Sequence, residues 1–507
     1  MEKSYRAYVE RQCTRNPSLT NLSRFLSKRD PDRNVCRIES LDFFKNSAKS
    51  SQTSLEVADV RSQLSQGIAK ESDGALLGRL LIIEDLTRDL VEALGTTLDI
   101  DPLFFASHIH TPWKAQESFQ TPDQATLPSR SRPKDYANFH YHRSLTFEKA
   151  PPGRKLLRKA NVDRKVIILP GTPPRLIGLA QHCVSVLRVH RGSHWIGVIL
   201  VDPPVRETYF YNDREKGLLP VECPTRLFLG GYEDFEDPSA LQQDETLKPY
   251  RLGLFDDLKY YWSSSPPQFD SKNPSLMSLS YYPLRIVAAE WVKYIAVMQT
   301  SIKQYEYASK DLPNFMDELN KLHSDLRALQ SWRRRTMSSQ QKIQAVLRLL
   351  REWDFSRYDE NRDVIFSIRE DYEYLSTNMD ESGRRLENML PVVTSLVQIV
   401  DSQRSFAETA NISRLTVLAL IFVPLSFISS LFSMNDVNRP GGPYFWVYFV
   451  VAIPVTLLVL AFASPQMRDI PGIYRRFRNQ YFRGRRAPPR NEERERALTK
   501  TFTEAYV

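Results

Sequence analysis

The sequence predicts an α+β cytosolic domain, then long stalk helices, then a C-terminal two-helix transmembrane hairpin. Three observations lead to this fold class. Short β-branched runs bounded by Gly and Pro occur within residues 71–265, apolar residues recur at helical spacing over 276–411, and two long apolar runs follow. A chain of 507 residues is too long for one ordinary core, so we expect several structural units.

Charge and composition restrict the class of partner. The formal net charge is +9 and the pI is about 9.2, although the mean hydropathy of −0.41 hides the two apolar runs. Much of the basic excess lies in "RRFRNQYFRGRR", directly after the second apolar run. A basic cluster at that position indicates membrane orientation rather than nucleic-acid binding. We therefore expect residues 464–507 to form a basic cytosolic tail, and we expect no nucleic-acid partner.

The N-terminal part of the chain is predicted to remain in the cytosol. Its first residues, "MEKSYRAYVERQCTRNPS", contain no apolar run typical of a signal peptide. The widely spaced Cys13, Cys36, Cys183 and Cys223 indicate reduced thiols. Residues 1–70 form a polar region for which we predict short helices only.

The cytosolic α/β domain is predicted from local signals within residues 71–265. Leu80–Ile83 is a continuous apolar run typical of a buried strand, and Thr87 is placed to cap the helix that follows. Gly95 is expected near the C-terminal end of that helix, and Asp101 with the proline after it is expected to open the next one.

Further strands are expected after an exposed loop. Residues 115–150 are rich in Pro, Ser, Gln and His, which is typical of a loop. The runs "KVIILP", "CVSVLRVH", "HWIGVILVDPPV" and "ETYFYND" then read as strands of a mixed domain that ends near Tyr260–Ser275. Beyond that point the helical spacing continues from residue 276 to 411, with Pro391 expected to kink the last helix.

Two apolar runs have the length of membrane spans. The first transmembrane helix is expected at 412–435 and the second at 445–463, each near the roughly 20 residues that cross a bilayer. A buried pair of soluble core helices is the disfavoured alternative, because such helices seldom reach this length without a charge. The short connection "SMNDVNRPGG" implies a tight hairpin, and the basic tail places both termini in the cytosol. The sequence does not distinguish the plasma membrane from an internal one.

The first of these helices carries a band of residues at steps of three and four, which we call the stripe. It consists of Ile412, Leu415, Ala419, Val423, Ser426, Ser430 and Ser433. Hydroxyl side chains at membrane depth normally face protein or water rather than lipid. From spacing alone the stripe is either a helix contact or a pore lining. Two spans cannot enclose a pathway, so conduction would require an oligomer with this helix innermost.

The stretch "LTVLALIFVPLSFISSLFSMN" resembles the first transmembrane helix of CorA-type divalent-cation transporters. That family's hallmark is L-T-x-x-x-x-I-F-x-P-L-[ST]-F followed by Gly-Met-Asn, and the matching positions are Leu415, Thr416, Ile421, Phe422, Pro424, Leu425, Ser426, Phe427, Met434 and Asn435. The resemblance also covers the order of a soluble domain, a stalk, two spans and a basic tail. It implies a funnel-shaped homopentamer in the lipid bilayer that transports Mg²⁺ or another divalent cation, driven by the membrane potential.

The resemblance also implies roles for individual residues. Asn435, with Met434 and Ser433, would form a selectivity ring that holds a hydrated ion, with Asp436 at the external mouth. Ser426 and Ser430 would serve as hydroxyl stations along the pore. Ile412, Leu415, Ala419 and Val423 would line its narrower, apolar part. No cofactor is expected apart from the transported ion.

Two departures from the family pattern leave alternatives open. Ser433 stands where the hallmark has Gly, and the loop after it carries Arg439 beside Asp436 in place of an acidic segment. One alternative is a transport-poor relative with a scaffolding or sensing role. Another is a Zn²⁺ transporter of the ZntB type.

Other candidate sites are weaker. His108 with His110, and His140 with His142, alternate as two Zn²⁺ ligands on one strand face would, but without a partner ligand they read as structural histidines. The acidic segment 232–245 reads as an exposed loop rather than a cation sensor. No phosphate-binding loop or nucleophile–base pairing is present, so an enzyme is not expected.

Overall fold

The computed structural model describes most of the chain between residues 4 and 463. The described ranges are 4–27, 35–45, 51–66, 76–110, 134–151, 153, 155–170, 176–192, 194–212, 217–229, 251–308, 315–356, 362–433 and 445–463. The chain divides into two compact units, residues 1–395 and 396–507.

Helices occur at both ends of the first unit and throughout the described part of the second. They are α1 (Tyr5–Cys13), α2 (Thr20–Ser27), α3 (Val57–Gln66), α4 (Arg88–Leu98), α5 (Pro102–Ile109), α6 (Leu254–Tyr261), α7 (Leu276–Ala308), α8 (Phe315–Ser356), α9 (Arg362–Ser433) and α10 (Trp446–Ala463). A helix of 72 residues, α9, runs without interruption through Pro391 and across the boundary between the units.

The strands form one sheet in the first unit. They are β1 (Arg37–Phe44), β2 (Ser51–Leu55), β3 (Leu76–Glu84), β4 (Tyr136–Phe147), β5 (Lys155–Arg158), β6 (Lys165–Ile168), β7 (Leu176–Arg191), β8 (His194–Val201), β9 (Glu207–Asn212), β10 (Gly217–Glu222) and β11 (Thr225–Leu227). The main path is β10-β9-β5-β6-β7-β8-β3-β1-β2.

The long strand β7 organises this sheet. Strand β4 pairs antiparallel with β7, with Tyr136 opposite Leu187 and Phe147 opposite Leu176. The other edge of β7 pairs first with β6 and then with β8. Strand β4 also holds β11, and β3 pairs parallel with β8.

Both faces of the sheet are covered. Along β3, Leu80 and Ile82 belong to a core shared with α6–α9, whereas Leu81 and Ile83 belong to a second core shared with α1–α5. This alternation follows from the two-residue period of a strand. A strand covered on both faces is apolar throughout, which is why Leu80–Ile83 was recognisable as a run.

The predicted helix starts are confirmed. The Thr87 side chain accepts a hydrogen bond from the backbone N–H of Leu90 at 3.2 Å, and α4 begins directly after it. The Asp101 carboxylate accepts from the N–H of Leu103 at 2.9 Å, and α5 begins at the intervening proline. Both caps satisfy backbone donors that have no partner inside the helix.

The predicted role of Gly95 is wrong. Helix α4 continues to Leu98, and Asp99 adopts the left-handed conformation with φ of 53°. Gly95 lies inside the helix because the Tyr5 ring packs against it, so closely that a Cβ atom would lie 2.6 Å from the ring. Its place is therefore decided by a contact with the N-terminal helix rather than by local backbone chemistry.

The predicted loop at residues 115–150 is also wrong over Tyr136–Phe147, which form β4. The polar residues in this strand are typical of a loop. One of them, Arg143, is buried because it forms ion pairs with residues remote in sequence. Residues 111–133 of the predicted loop lie outside the described part of the chain.

The N-terminal region contains more than the short helices expected. Its residues 37–44 form β1, which joins the sheet beside β3. Arg79 of β3 lies 2.6 Å from Asp42, and Arg37 lies 2.6 Å from Glu84. These cross-strand pairs let a polar-looking segment enter the sheet.

Candidate functional site

The apolar part of α9 is long enough to cross a membrane. Within the described residues, Leu415–Ser433 is the single helix segment that is both long and apolar enough. Its 19 residues rise about 28 Å at 1.5 Å per residue, close to the roughly 30 Å of a bilayer core. The apolar part of α10, Trp446–Val459, is shorter, so the second span remains a prediction.

The structure places the whole stripe on one side of α9. At about 100° per residue, its members from Ile412 to Ser433 fall within an arc of about 80°. All of them are exposed, including the large apolar side chains of Ile412, Leu415 and Val423, which are 65–69% exposed.

The opposite side of α9 is covered by α10. Ile428 lies about 180° from the stripe and is 6% exposed. One turn further, the ring of Phe432 meets the ring of Tyr448 edge to face at 5.9 Å. On α10, Ala452 and Thr456 continue the row of Tyr448 at steps of four and are buried. Helix α10 therefore packs on the face away from the stripe.

Hydroxyl groups along this helix are satisfied by its own backbone. Ser426 Oγ donates to the carbonyl oxygen of Val423 at 3.0 Å, and Thr416 Oγ1 donates to that of Ile412 at 2.9 Å. Since a hydroxyl has one proton and two lone pairs, its oxygen can still accept from water or face a cation.

Only one residue of the predicted selectivity ring lies in the described part of the chain. Ser433 is the last residue of α9 and is exposed. Met434, Asn435 and Asp436 lie outside the described residues, as does the acidic segment 232–245. The roles given to these residues remain predictions.

Of the predicted histidine pairs, His108 and His140 are linked through Ser185 and Cys183, whose side chains lie 3.6 Å apart. His108 lies in α5 rather than on a strand, and its Nδ1 is 2.8 Å from Ser185 Oγ. His142 stacks on Tyr294, and His140 Nε2 lies 3.8 Å from Cys183 Sγ. Burial lowers the pKa of His108 to about 3 and lowers the pKa values of His140 and His142 well below 6.5.

The interpretation of these histidines as structural residues remains a prediction. With pKa values this low, they are neutral near pH 7. Across the described ranges, no group of three or more His, Cys, Asp or Glu side chains is arranged to hold a metal ion.

Two buried ion clusters were not foreseen from the sequence. Asp202 lies 2.9 Å from Arg164 and 3.3 Å from Arg158. Burial alone would raise the pKa of Asp202, but the two guanidinium groups hold it below its ordinary value. Arg143 forms the second cluster with Asp257 and Glu290. Sequence spacing carries no signal for either cluster, because the partners come from distant elements.

Comparisons with known proteins bear on the second half of the chain. Residues 247–464 match the family model described as "CorA-like Mg2+ transporter protein". No curated protein matches the chain.

Three solved structures give weak whole-chain similarity. The CorA magnesium transporter from Methanocaldococcus jannaschii is 10% identical, with a TM-score of 0.37 over 84% of this chain and 96% of that chain. The full-length CmaX protein is 11% identical, with a TM-score of 0.35 over 85% of this chain and 99% of that chain. The ZntB cytoplasmic domain from Vibrio parahaemolyticus RIMD 2210633 is 11% identical, with a TM-score of 0.25 over 73% of this chain and 98% of that chain.

The match to the family model covers α6 through α10 and includes both the apolar segment of α9 and the stripe. Over residues 247–464, the chain is therefore similar to the CorA-like family model.

Proposed function

We propose that copies of this chain assemble as a homopentamer in a membrane and conduct divalent cations, Mg²⁺ foremost, along the stripe. The observation that carries this proposal is the sidedness of α9. Its stripe is exposed in the single chain and turned away from α10, although it contains Ser426, Ser430 and Ser433. Hydroxyl side chains at membrane depth normally face protein or water, which supports contact of this face with further copies around a pore.

The chemistry of the stripe suits a hydrated ion. The amide oxygens of an Asn435 ring would contact the water shell of Mg²⁺, which the ion sheds reluctantly. Ser426 and Ser430 would offer oxygens below that ring, and Val423, Leu415 and Ile412 would form a narrow apolar section that gates by dewetting. Helix α10 would be the outer, second span, with both termini in the cytosol.

Movement through such a pore is passive. A membrane potential contributes about 2.3 kcal/mol per elementary charge per 100 mV, so a divalent ion gains about 4.6 kcal/mol per 100 mV on entry. No residue need perform chemistry on the ion. The family match to Mg²⁺ transporters supports a transport role rather than an enzymatic one.

The decisive experiment is ion uptake into lipid vesicles containing the purified full-length chain. We expect Mg²⁺ uptake by the wild type and its loss in Asn435→Ala. The matched control is Asn388→Ala, which removes an exposed amide from α9 outside the apolar segment and should leave uptake unchanged. Normal uptake by Asn435→Ala would reject the selectivity ring.

The ion and the departure from the hallmark are tested in the same vesicles. Uptake of Mg²⁺, Zn²⁺, Ni²⁺ and Co²⁺ is compared, with Ser433→Gly beside the wild type. Preference for Zn²⁺ would favour the ZntB-type alternative over Mg²⁺. A wild-type protein that assembles in the membrane but takes up none of these ions would reject transport and leave the scaffolding or sensing role.

A further inference from the structure

A cleft of about 410 Å³ opens in the first unit, remote in sequence from the stripe. Its walls come from β4, β7, β11 and the facing ends of β9 and β10. The apolar part of the wall includes Leu145, Val205 and Leu227. This volume is in the range of small-ligand pockets and exceeds what a lone inorganic ion would fill.

The buried floor of the cleft is formed by one cationic side chain and one imidazole, whose pKa burial lowers well below 6.5. Arg143 and His182 both line it, although they are only 2% and 3% exposed. Arg143 places Nε 3.3 Å from Glu290 and Nη2 3.2 Å from Asp257. Its Nη1 is buried without a hydrogen-bond acceptor among the described residues. A buried donor left in this state carries an uncompensated desolvation cost, which an acceptor on a ligand would offset.

Each carboxylate that pairs with Arg143 also pairs with a second cation. Asp257 also lies 3.3 Å from Arg251, and Glu290 also lies 3.1 Å from Lys293. Arg251 and Lys293 therefore share the negative charge of these two carboxylates with Arg143.

The rim adds further cations. Arg226 and Glu207 line the rim, and each forms an ion pair with a residue that does not line the cleft. Arg226 lies 2.6 Å from Glu148, and Glu207 lies 2.6 Å from Lys159. The remaining charged rim residues are Lys149, Arg206 and Glu222, and all three are exposed. No ion pair within the described residues joins Lys149 or Arg206 to a carboxylate. Outside these ion pairs, the rim therefore has two cations and one carboxylate.

We infer that this cleft binds a small organic phosphate, with the phosphate on Arg143, Lys149 and Arg206 and the organic part on the apolar wall. Guanidinium groups hold phosphate oxygens through paired, charge-assisted hydrogen bonds, and a lysine adds a point charge. A bare phosphate ion would leave the apolar wall without a contact. We therefore expect the ligand to carry an organic part that packs on this wall. The inference does not rest on ion transport.

Calorimetric binding to the full-length chain in detergent, with a chelator present, tests this inference. The probes are ATP, inorganic phosphate and adenosine. We expect saturable ATP binding, weaker binding of inorganic phosphate and none of adenosine. The double variant Lys149→Ala with Arg206→Ala should weaken ATP binding by about 100-fold, since each lost charge-assisted hydrogen bond is worth about 1.4 kcal/mol, or about tenfold.

A matched double variant, Arg15→Ala with Lys303→Ala, removes two exposed cations that do not line the cleft and should bind ATP as the wild type does. The substituted rim residues are exposed, so the fold should tolerate their loss. The inference is overturned if no probe binds, if adenosine binds as tightly as ATP, if inorganic phosphate matches ATP, or if both double variants weaken binding equally.

Discussion

The buried carboxyl group of Asp85 should make the stability of the first unit depend on pH. Asp85 follows β3 with a left-handed φ of 62°, and its carboxylate accepts a hydrogen bond from the backbone N–H of Asn161 at 2.9 Å. Burial raises the pKa of this carboxyl group to about 7, and the nearby carboxylates of Asp202 and Glu84 also raise it. The folded chain therefore holds this proton more tightly than the unfolded chain does.

The magnitude follows from that difference in pKa. The shift from 3.8 to about 7 corresponds to at most about 4 kcal/mol at 1.36 kcal/mol per pH unit. Below about pH 4 the group is protonated in both states and costs nothing. Between about pH 4 and pH 7 the penalty for folding with a charged Asp85 grows, and above pH 7 it is fully present.

Asp85→Asn tests this reasoning, because Asn has the same shape, tolerates a left-handed φ and carries no charge. Urea unfolding of the full chain in detergent is followed by the fluorescence of its buried tryptophans, such as Trp195 and Trp262. The variant should be more stable than the wild type at pH 8, with most of that gain absent at pH 4.5. The control is Asp99→Asn, at an exposed position with φ of 53°. Equal gains at both pH values, or in both variants, would refute the role of burial.

Two further predictions concern packing and buried charge, and the same unfolding measurement checks them. Gly95→Ala should destabilise the fold by about 1–3 kcal/mol because the new Cβ would overlap the Tyr5 ring. Gly383→Ala, whose Cβ would make only an ordinary contact, should be neutral or stabilising by up to about 1 kcal/mol, and the opposite order would contradict this account. Asp202→Asn should cost about 3–5 kcal/mol by leaving two buried guanidinium groups without their carboxylate, and a loss below 1 kcal/mol would show that they find another partner.

Predictions that depended on neighbouring residues were confirmed. Thr87 and Asp101 cap helices because the donors they satisfy lie two or three residues away. Leu80–Ile83 was recognisable because a strand covered on both faces must be apolar at every position.

Predictions failed where distant residues decided the outcome. Residues 115–150 look like a loop because of their Pro, Ser, Gln and His content, yet β4 within them is a strand. Its buried Arg143 pairs with Asp257 and Glu290, which lie 114 and 147 positions away. Gly95 looks like a helix end, yet it is retained inside α4 by the ring of Tyr5. Neither contact leaves a pattern in the local sequence.

The cleft illustrates the same limit for a binding site. Arg143, His182 and Arg206 are far apart in the chain and belong to no motif. They line one cleft because β4 pairs with β7 and because β9 begins near β11. Sequence reading therefore had no means of finding this candidate site.

The sequence by itself determined that residues 412–435 are long and apolar enough to span a membrane and that their stripe of hydroxyl residues shares one helical face. Both properties follow from composition and from the helical period, which are local. Only the tertiary structure decided which face of α9 is free, because that depends on where α10 packs, through Tyr448 and Ala452. Packing against another element is a long-range property, and it left the stripe on the uncovered side.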